Sequence, residues 1–375
     1  MDNAADSLKS SFSMNVERRF REFLERADTH RFMISTDFAL SDPERFNDVF
    51  AFTVFPMKSE LPDMFDEAKR AAPRDLKKVQ SVSPKMVDYL RSAERFHFLF
   101  VLPVKRHQFS TLANARESIE QTIAHLTARN ENGWYDEALV SWKALRQEAK
   151  SANFRPRLLM DVILTALFTS FLTFLLIKHA RPDGVVWLPD RDAIGKFHKG
   201  LVSDLWMQNV AGLCDDLRYD RARTTQGYGY VDDFAPGAEG WFDDVVRVPD
   251  YLAGAMARWD IKENRVSDTS RKQLQLIEKV LPDHDQLAIA LVRPSLWGTS
   301  VSQFVVSRSL DSIRLSGRAS DLASELKYHA AITSIEASHT MLTRQRILRG
   351  CTSYTDLFYC ERQFRGVLRS WRAAG

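Results

Sequence analysis

Apolar and polar positions along the chain change rhythm several times, and each rhythm predicts a different kind of element. Residues 31–40 (RFMISTDFAL) and 48–57 (DVFAFTVFPM) are dense in β-branched and aromatic side chains, which suit a pleated, buried surface. Between them SDPERFN supplies Asp, Pro and Asn, so the pair reads as a hairpin. A polar, proline-broken stretch runs from 59 to 84, 86–95 reads as a short helix, and 96–104 (FHFLFVLPV) predicts a third buried strand. The period then lengthens: 112–128, 134–151 and 157–179 carry apolar residues at helical spacing without an internal proline. Residues 184–188 (GVVWL) are short and nearly all apolar, as a central strand covered on both faces should be.

The next residues, PDRD, end that strand, 193–210 predicts a helix, and the Gly- and Asp-rich stretch 218–240 a loop. Residues 244–248 read as a short strand or turn. Pro249 then opens a helix to about Trp259, because a first helical turn tolerates proline. Polar residues 262–270 mark the expected boundary; beyond it come a helix (271–281), an apolar strand (286–292) and a long helical pattern from 319 to about 349. The plan is thus an α/β domain over 1–265, with a helical insertion at about 110–180, and a mostly helical C-terminal region over 266–375.

Length and composition narrow the class. The 375 residues are 45% hydrophobic, 11% aromatic and 27% charged, enough buried material to exclude disorder as the main state. Cys214, Cys351 and Cys360 lack metal-like spacing and fit a reducing, cytoplasmic setting. The N-terminus begins acidic with no apolar run, unlike a secretory signal. Residues 162–177 (VILTALFTSFLTFLLI) carry no charge but fall short of the roughly 18–20 residues of a spanning helix, so a buried core helix is expected and no membrane partner. A net charge of +3 shows no polyanion partner by itself; only a local patch does that. One candidate patch is the Arg-rich tail (Arg344, Arg346, Arg349, Arg362, Arg365, Arg369, Arg372), which reads equally as a phosphate-contacting surface or a solvated helix face.

Familiar catalytic motifs are missing: there is no P-loop, no His-Glu-x-x-His and no Gly-x-Ser-x-Gly. Asp283-His284-Asp285 reads as a solvated turn rather than a metal site. Aspartates at element ends are the better lead. Asp37 sits in an apolar strand, where an unpaired carboxylate is costly to bury. Asp190 follows the central strand, and Asp250 stands at the expected start of a core-facing helix with close packing at Gly254. Each has a plainer role available: a strand end, a helix cap, and a charge at the positive end of a helix dipole. Together they match the places where α/β sheets bind ligands, and converging carboxylates call for a hard cation such as Mg²⁺ or Mn²⁺.

That order of acidic positions resembles the ribonuclease H-like folds, and within them the domain-of-unknown-function 3800 family. The matching segments are Ser35-Thr36-Asp37-Phe38, Asp75-Leu76-Lys77, Val185-Val186-Trp187-Leu188-Pro189-Asp190, and Arg247-Val248-Pro249-Asp250-Tyr251-Leu252-Ala253-Gly254-Ala255, the last being the most specific. The resemblance spans roughly residues 30–262. Phe38-Ala39-Leu40 stands where the family has Glu-Ser-Gly, Asp75 replaces a Glu, and Pro249 replaces an Ala. It implies a ribonuclease H-like mixed sheet and a metal-dependent nuclease, with Asp37, Asp75, Asp190 and Asp250 holding Mg²⁺ or Mn²⁺. Lys77, Lys105 and Arg106 are the nearest candidate phosphate contacts for a DNA or RNA substrate. The alternative class is a non-catalytic binding or sensing module on the same scaffold, of the kind found in prokaryotic defence or mobile-element systems, with a protein partner engaged through the C-terminal region.

Overall fold

The three apolar runs at the start of the chain pair with one another. In the computed structural model, strands β1 (Arg31–Ala39), β2 (Asp48–Pro56) and β3 (Phe96–Leu102) form an antiparallel meander. The structure describes residues 7–9, 12, 15–58, 61–102, 111–130, 133, 135–190, 192–214, 224–228, 242–266, 271–295, 298–307 and 330–333. β4 (Gly184–Pro189) lies parallel to β1, and β5 (Thr225–Tyr228) parallel to β4. A two-stranded ribbon, β6 (Trp259–Asp260) with β7 (Arg265–Val266), stands apart. On the far side β8 (Leu287–Ser295) runs parallel to β3 and is followed by antiparallel β9 (Gly298–Val306) and β10 (Ala330–Thr333). The resulting mixed sheet has the order β10-β9-β8-β3-β2-β1-β4-β5, so the fold is α/β.

Helices cover both faces, which is why the central strands read as continuous apolar runs. One face presents Phe32, Ile34, Phe50, Phe52, Phe98 and Phe100 to α1 (Asn15–Ala27), and to the later helices α4 (Leu112–Arg129), α5 (Asp136–Glu148), α6 (Pro156–Ala180) and α8 (Leu201–Cys214). The other presents Met33, Val49, Ala51, Leu99 and Val101 to α2 (Leu61–Ala71), α3 (Pro84–Arg91), α9 (Asp243–Ala257) and α10 (Arg271–Lys279). A short helix α7 (Ala193–Lys196) follows β4.

Helix α6 is long and apolar enough to cross a bilayer, yet 89% of its most apolar window is buried inside the protein. Its Phe168 stacks on Phe100 at 4.1 Å, and its outer side packs under α8. Two of its polar groups find partners there: Trp206 Nε1 donates to Thr173 Oγ1 (3.0 Å) and Ser170 Oγ to the Trp206 carbonyl (3.0 Å). A helix enclosed on all sides has no need of a polar face.

Several expectations are corrected by packing. The helix carrying Asp250 begins at Asp243 rather than at Pro249, which lies inside it. A proline there removes one backbone donor, but the helix buries Val245, Val246, Val248, Leu252 and Met256, and tertiary burial outweighs the local cost. The stretch expected as a loop contains β5, and the polar stretch after residue 59 contains α2. The helix expected over 193–210 is broken by left-handed His198 (φ 45°) and Gly200 (φ 93°). The boundary expected at 262–270 lies between elements of one sheet, since β8 pairs directly with β3. Most of the helical pattern expected at 319–349 lies outside the described residues; within it, 330–333 form β10.

Candidate functional site

Parallel pairing of β1 with β4 sets Thr36 opposite Pro189, so Asp37 and Asp190 emerge side by side at the same end of the sheet. The junction is fastened by the Asp190 amide, which donates to the Thr36 carbonyl at 3.0 Å. Helix α9 crosses this face with Ala253, Ala255 and Ala257 buried, small residues that permit close approach to the strands. It brings in Asp250 from mid-helix, which removes the helix-dipole role that an N-terminal position gives. Asp250 Oδ2 instead accepts the Leu76 amide hydrogen at 2.8 Å. Three of the four expected acidic residues are therefore brought together.

The electrostatics show how closely they crowd. Burial and then the neighbouring Asp250 and Asp190 push the Asp37 carboxyl well above its ordinary pKa, against a hydrogen bond accepted from the Phe38 amide. Burial also raises Asp250; the Leu76 amide and Lys77 draw it back, and Asp75 and Asp190 push it up. All three keep part of their surface open to solvent, so the crowding sits at an accessible edge rather than in the core.

Asp75 behaves differently. Its carboxylate pairs with Lys78 Nζ at 2.7 Å and Arg247 Nε at 3.2 Å. Burial favours its neutral form, but these two cations more than offset that and leave its pKa below the usual value. It lies at the rim, facing its own counter-ions. The acidic neighbour missed from sequence is Asp192, which interacts with both Asp37 and Asp190. Burial, opposed by the Gly195 and Ile194 amides it caps and reinforced by Asp190 and Asp161, raises it to about 6. The available signal was the Asp-x-Asp spacing of 190 and 192.

Lys77 is exposed at the same rim; Lys105 and Arg106 lie outside the described residues. Of the Asp283-His284-Asp285 triplet, His284 is buried, with Nε2 3.0 Å from the Leu90 carbonyl. His97 meets the same carbonyl at 2.9 Å. A carbonyl only accepts, so both rings carry their proton on Nε2, and burial lowers both pKa values. This pair is structural.

The donor set suits a hard cation in kind, since partly open, mutually repelling carboxylates gain most from one. Its geometry is not a finished cage: among the described residues no three His, Cys, Asp or Glu side chains meet as a metal-holding group. Comparisons of the chain with protein-family models, with curated proteins and with solved structures found no match. The site is therefore read from its own residues and from the motifs quoted above.

Proposed function

We propose that this protein is a metal-dependent nuclease on a ribonuclease H-like sheet. The observation that carries the reading is the convergence of Asp37, Asp190 and Asp250, from β1, the end of β4 and α9, at one partly open end of the sheet. The antiparallel meander β3-β2-β1, continued by parallel β4 and β5 within the larger sheet, supports that reading. Asp37, Asp190 and Asp250 would hold Mg²⁺ or Mn²⁺, with Asp192 adjoining them and Asp75 at the rim. A divalent cation bound there supplies the charge that activates a water and stabilises a leaving oxygen. The residues themselves concentrate negative charge at a fixed point, and the Leu76 amide holds Asp250 in orientation. Lys77 stands where a substrate phosphate would pass. The cysteine usage fits a cytoplasmic location.

The test is incubation with labelled single- and double-stranded DNA and RNA in Mg²⁺, Mn²⁺ or EDTA. Cleavage with metal is expected to fall at least about 100-fold in Asp37→Asn and Asp250→Asn. No cleavage of any polymer, together with no metal binding by calorimetry, would overturn the reading. A second reading, a non-catalytic binding or sensing module, is favoured by the unfinished cage and by the counter-ions already on Asp75. It predicts that the same substitutions change stability only.

A further inference from the structure

Beside the acidic cluster runs a short segment of opposite character. Residues 69–78 read KRAAPRDLKK: Lys69, Arg70, Arg74, Lys77 and Lys78, all five exposed, against the single carboxylate of Asp75. Lys78 is paired with Asp75. Among the described residues, Lys69, Arg70, Arg74 and Lys77 make no ion pair. Of the acids upstream on α2, Glu67 is directed to the buried Arg95 (3.2 Å), and Asp63 and Asp66 form no ion pair with Lys69 or Arg70 among the described residues. Lys69 and Arg70 complement the carboxyl end of α2, as cations commonly do. Arg74 lies past that helix, and Lys77 and Lys78 stand in the three-residue 3-10 turn Leu76–Lys78, too short for a dipole to account for them.

The segment is held rigidly against the site. Tyr251 Oη donates to the Arg74 carbonyl (2.9 Å), and the Leu76 amide donates to Asp250. Lys272 of α10 spends all three ammonium hydrogens on the carbonyls of Leu76 (2.6 Å), Lys77 (3.3 Å) and Val79 (2.9 Å). Buried Leu76 packs at Gly254 of α9. Three separate anchors thus fix the backbone around residues 74–79, while the side chains of Lys69, Arg70, Arg74 and Lys77 stay exposed. A solvated charge run on a loop needs no such anchoring. A surface that must present cations at a set distance from the carboxylates does.

We propose that residues 69–78 form a phosphate-binding ridge that lays a nucleic-acid strand across the acidic cluster. This rests on the nucleic-acid reading above and adds the surface that takes the backbone. Cations of this kind give sequence-independent binding with a steep salt dependence, because each phosphate neutralised releases counter-ions.

The experiment is fluorescence anisotropy of the full chain with labelled single-stranded DNA, duplex DNA and RNA, in EDTA, across a salt series. Arg74→Ala/Lys77→Ala is expected to bind roughly 10-fold more weakly near 0.1 M salt, with the slope of log K on log salt reduced by about 1.5–2. Lys69→Ala/Arg70→Ala should act in the same direction. Lys143→Ala, an exposed lysine on α5 over the opposite face of the sheet, should bind like the unaltered protein. Thermal melts confirm that each variant is folded. Unchanged binding or slope in the ridge variants, an equal loss in Lys143→Ala, or stronger binding to anionic phospholipid vesicles than to any of the three polymers overturns the ridge. A parallel arm with Mn²⁺ separates the two proposals. Cleavage with unaltered ridge-variant binding removes the ridge and leaves the nuclease; ridge-dependent binding without cleavage leaves the ridge and removes the nuclease.

Discussion

Asp192 shows what burial beside other carboxylates costs a single residue. Its carboxyl, raised to about 6, is near 3.9 in an unfolded chain. A carboxyl whose folded value exceeds the unfolded one lowers stability as pH climbs from the unfolded to the folded value, here from about 4 to about 6, and the loss persists above that. Asn at this position keeps the side-chain oxygen that caps α7 and removes the charge. Asp192→Asn is therefore expected to raise the unfolding free energy by about 1–3 kcal/mol at pH 8 and to change it little at pH 4. Urea denaturation at the two pH values reads this directly, and a variant equally or less stable at pH 8 would show that neither burial nor the neighbouring carboxylates penalise the charge there. The buried His97–His284 pair acts oppositely: both pKa values are depressed, so their contribution is intact above about 6.5 and is lost as pH falls through about 4 for His284.

At the scale of elements, the site depends on the fit between α9 and the short turn at Leu76–Lys78. A methyl group added at Gly254 would run into the Leu76 side chain. Leu76 is also the residue whose amide orients Asp250 and whose carbonyl Lys272 grips. Gly254→Ala is expected to cost about 1–3 kcal/mol of stability, the usual range for an overpacked core. It should also displace the Leu76 amide from Asp250. Hydrogen exchange at Leu76 checks the second part: faster exchange there, beyond what the change in global stability explains, is the expected result. Lys272 belongs to the segment past the expected boundary, so the late helix α10 contributes to a site whose acids all come earlier in the chain.

For the whole molecule, the consequence of β8 pairing with β3 is that α10, β8 and β9 belong to the same core as the first three strands. Trp259 meets Phe304 at 5.5 Å, and Arg91 donates to the carbonyls of Val280, Pro282 and Asp283. A chain cut after residue 265 would leave β3 as a long, flat, apolar edge, a template for aggregation. Residues 1–265 alone are expected to be insoluble or to lose cooperative thermal unfolding, as measured by sedimentation and circular dichroism. A monomeric, cooperatively melting fragment would show that the boundary expected at 262–270 is real.

What the sequence determined by itself was whatever is written in local pattern. Continuous apolar runs marked β1 to β4 because strands covered on both faces have no polar side. The uncharged run at 162–177 marked the buried helix α6 for the same reason, and three of the acids were found at strand and helix positions. What only the tertiary structure decided depends on residues distant in the chain. Proline at 249 looked like a helix start because its missing amide is a local fact, whereas the burial that carries the helix through it comes from the sheet beneath. β5 and β9 have little pattern of their own and exist by pairing with β4 and β8. Asp75 and Asp192 differ in role because of Lys78, Arg247 and the neighbouring carboxylates. That distinction is electrostatic, falls off over a few ångströms, and is set by which side chains the fold brings face to face.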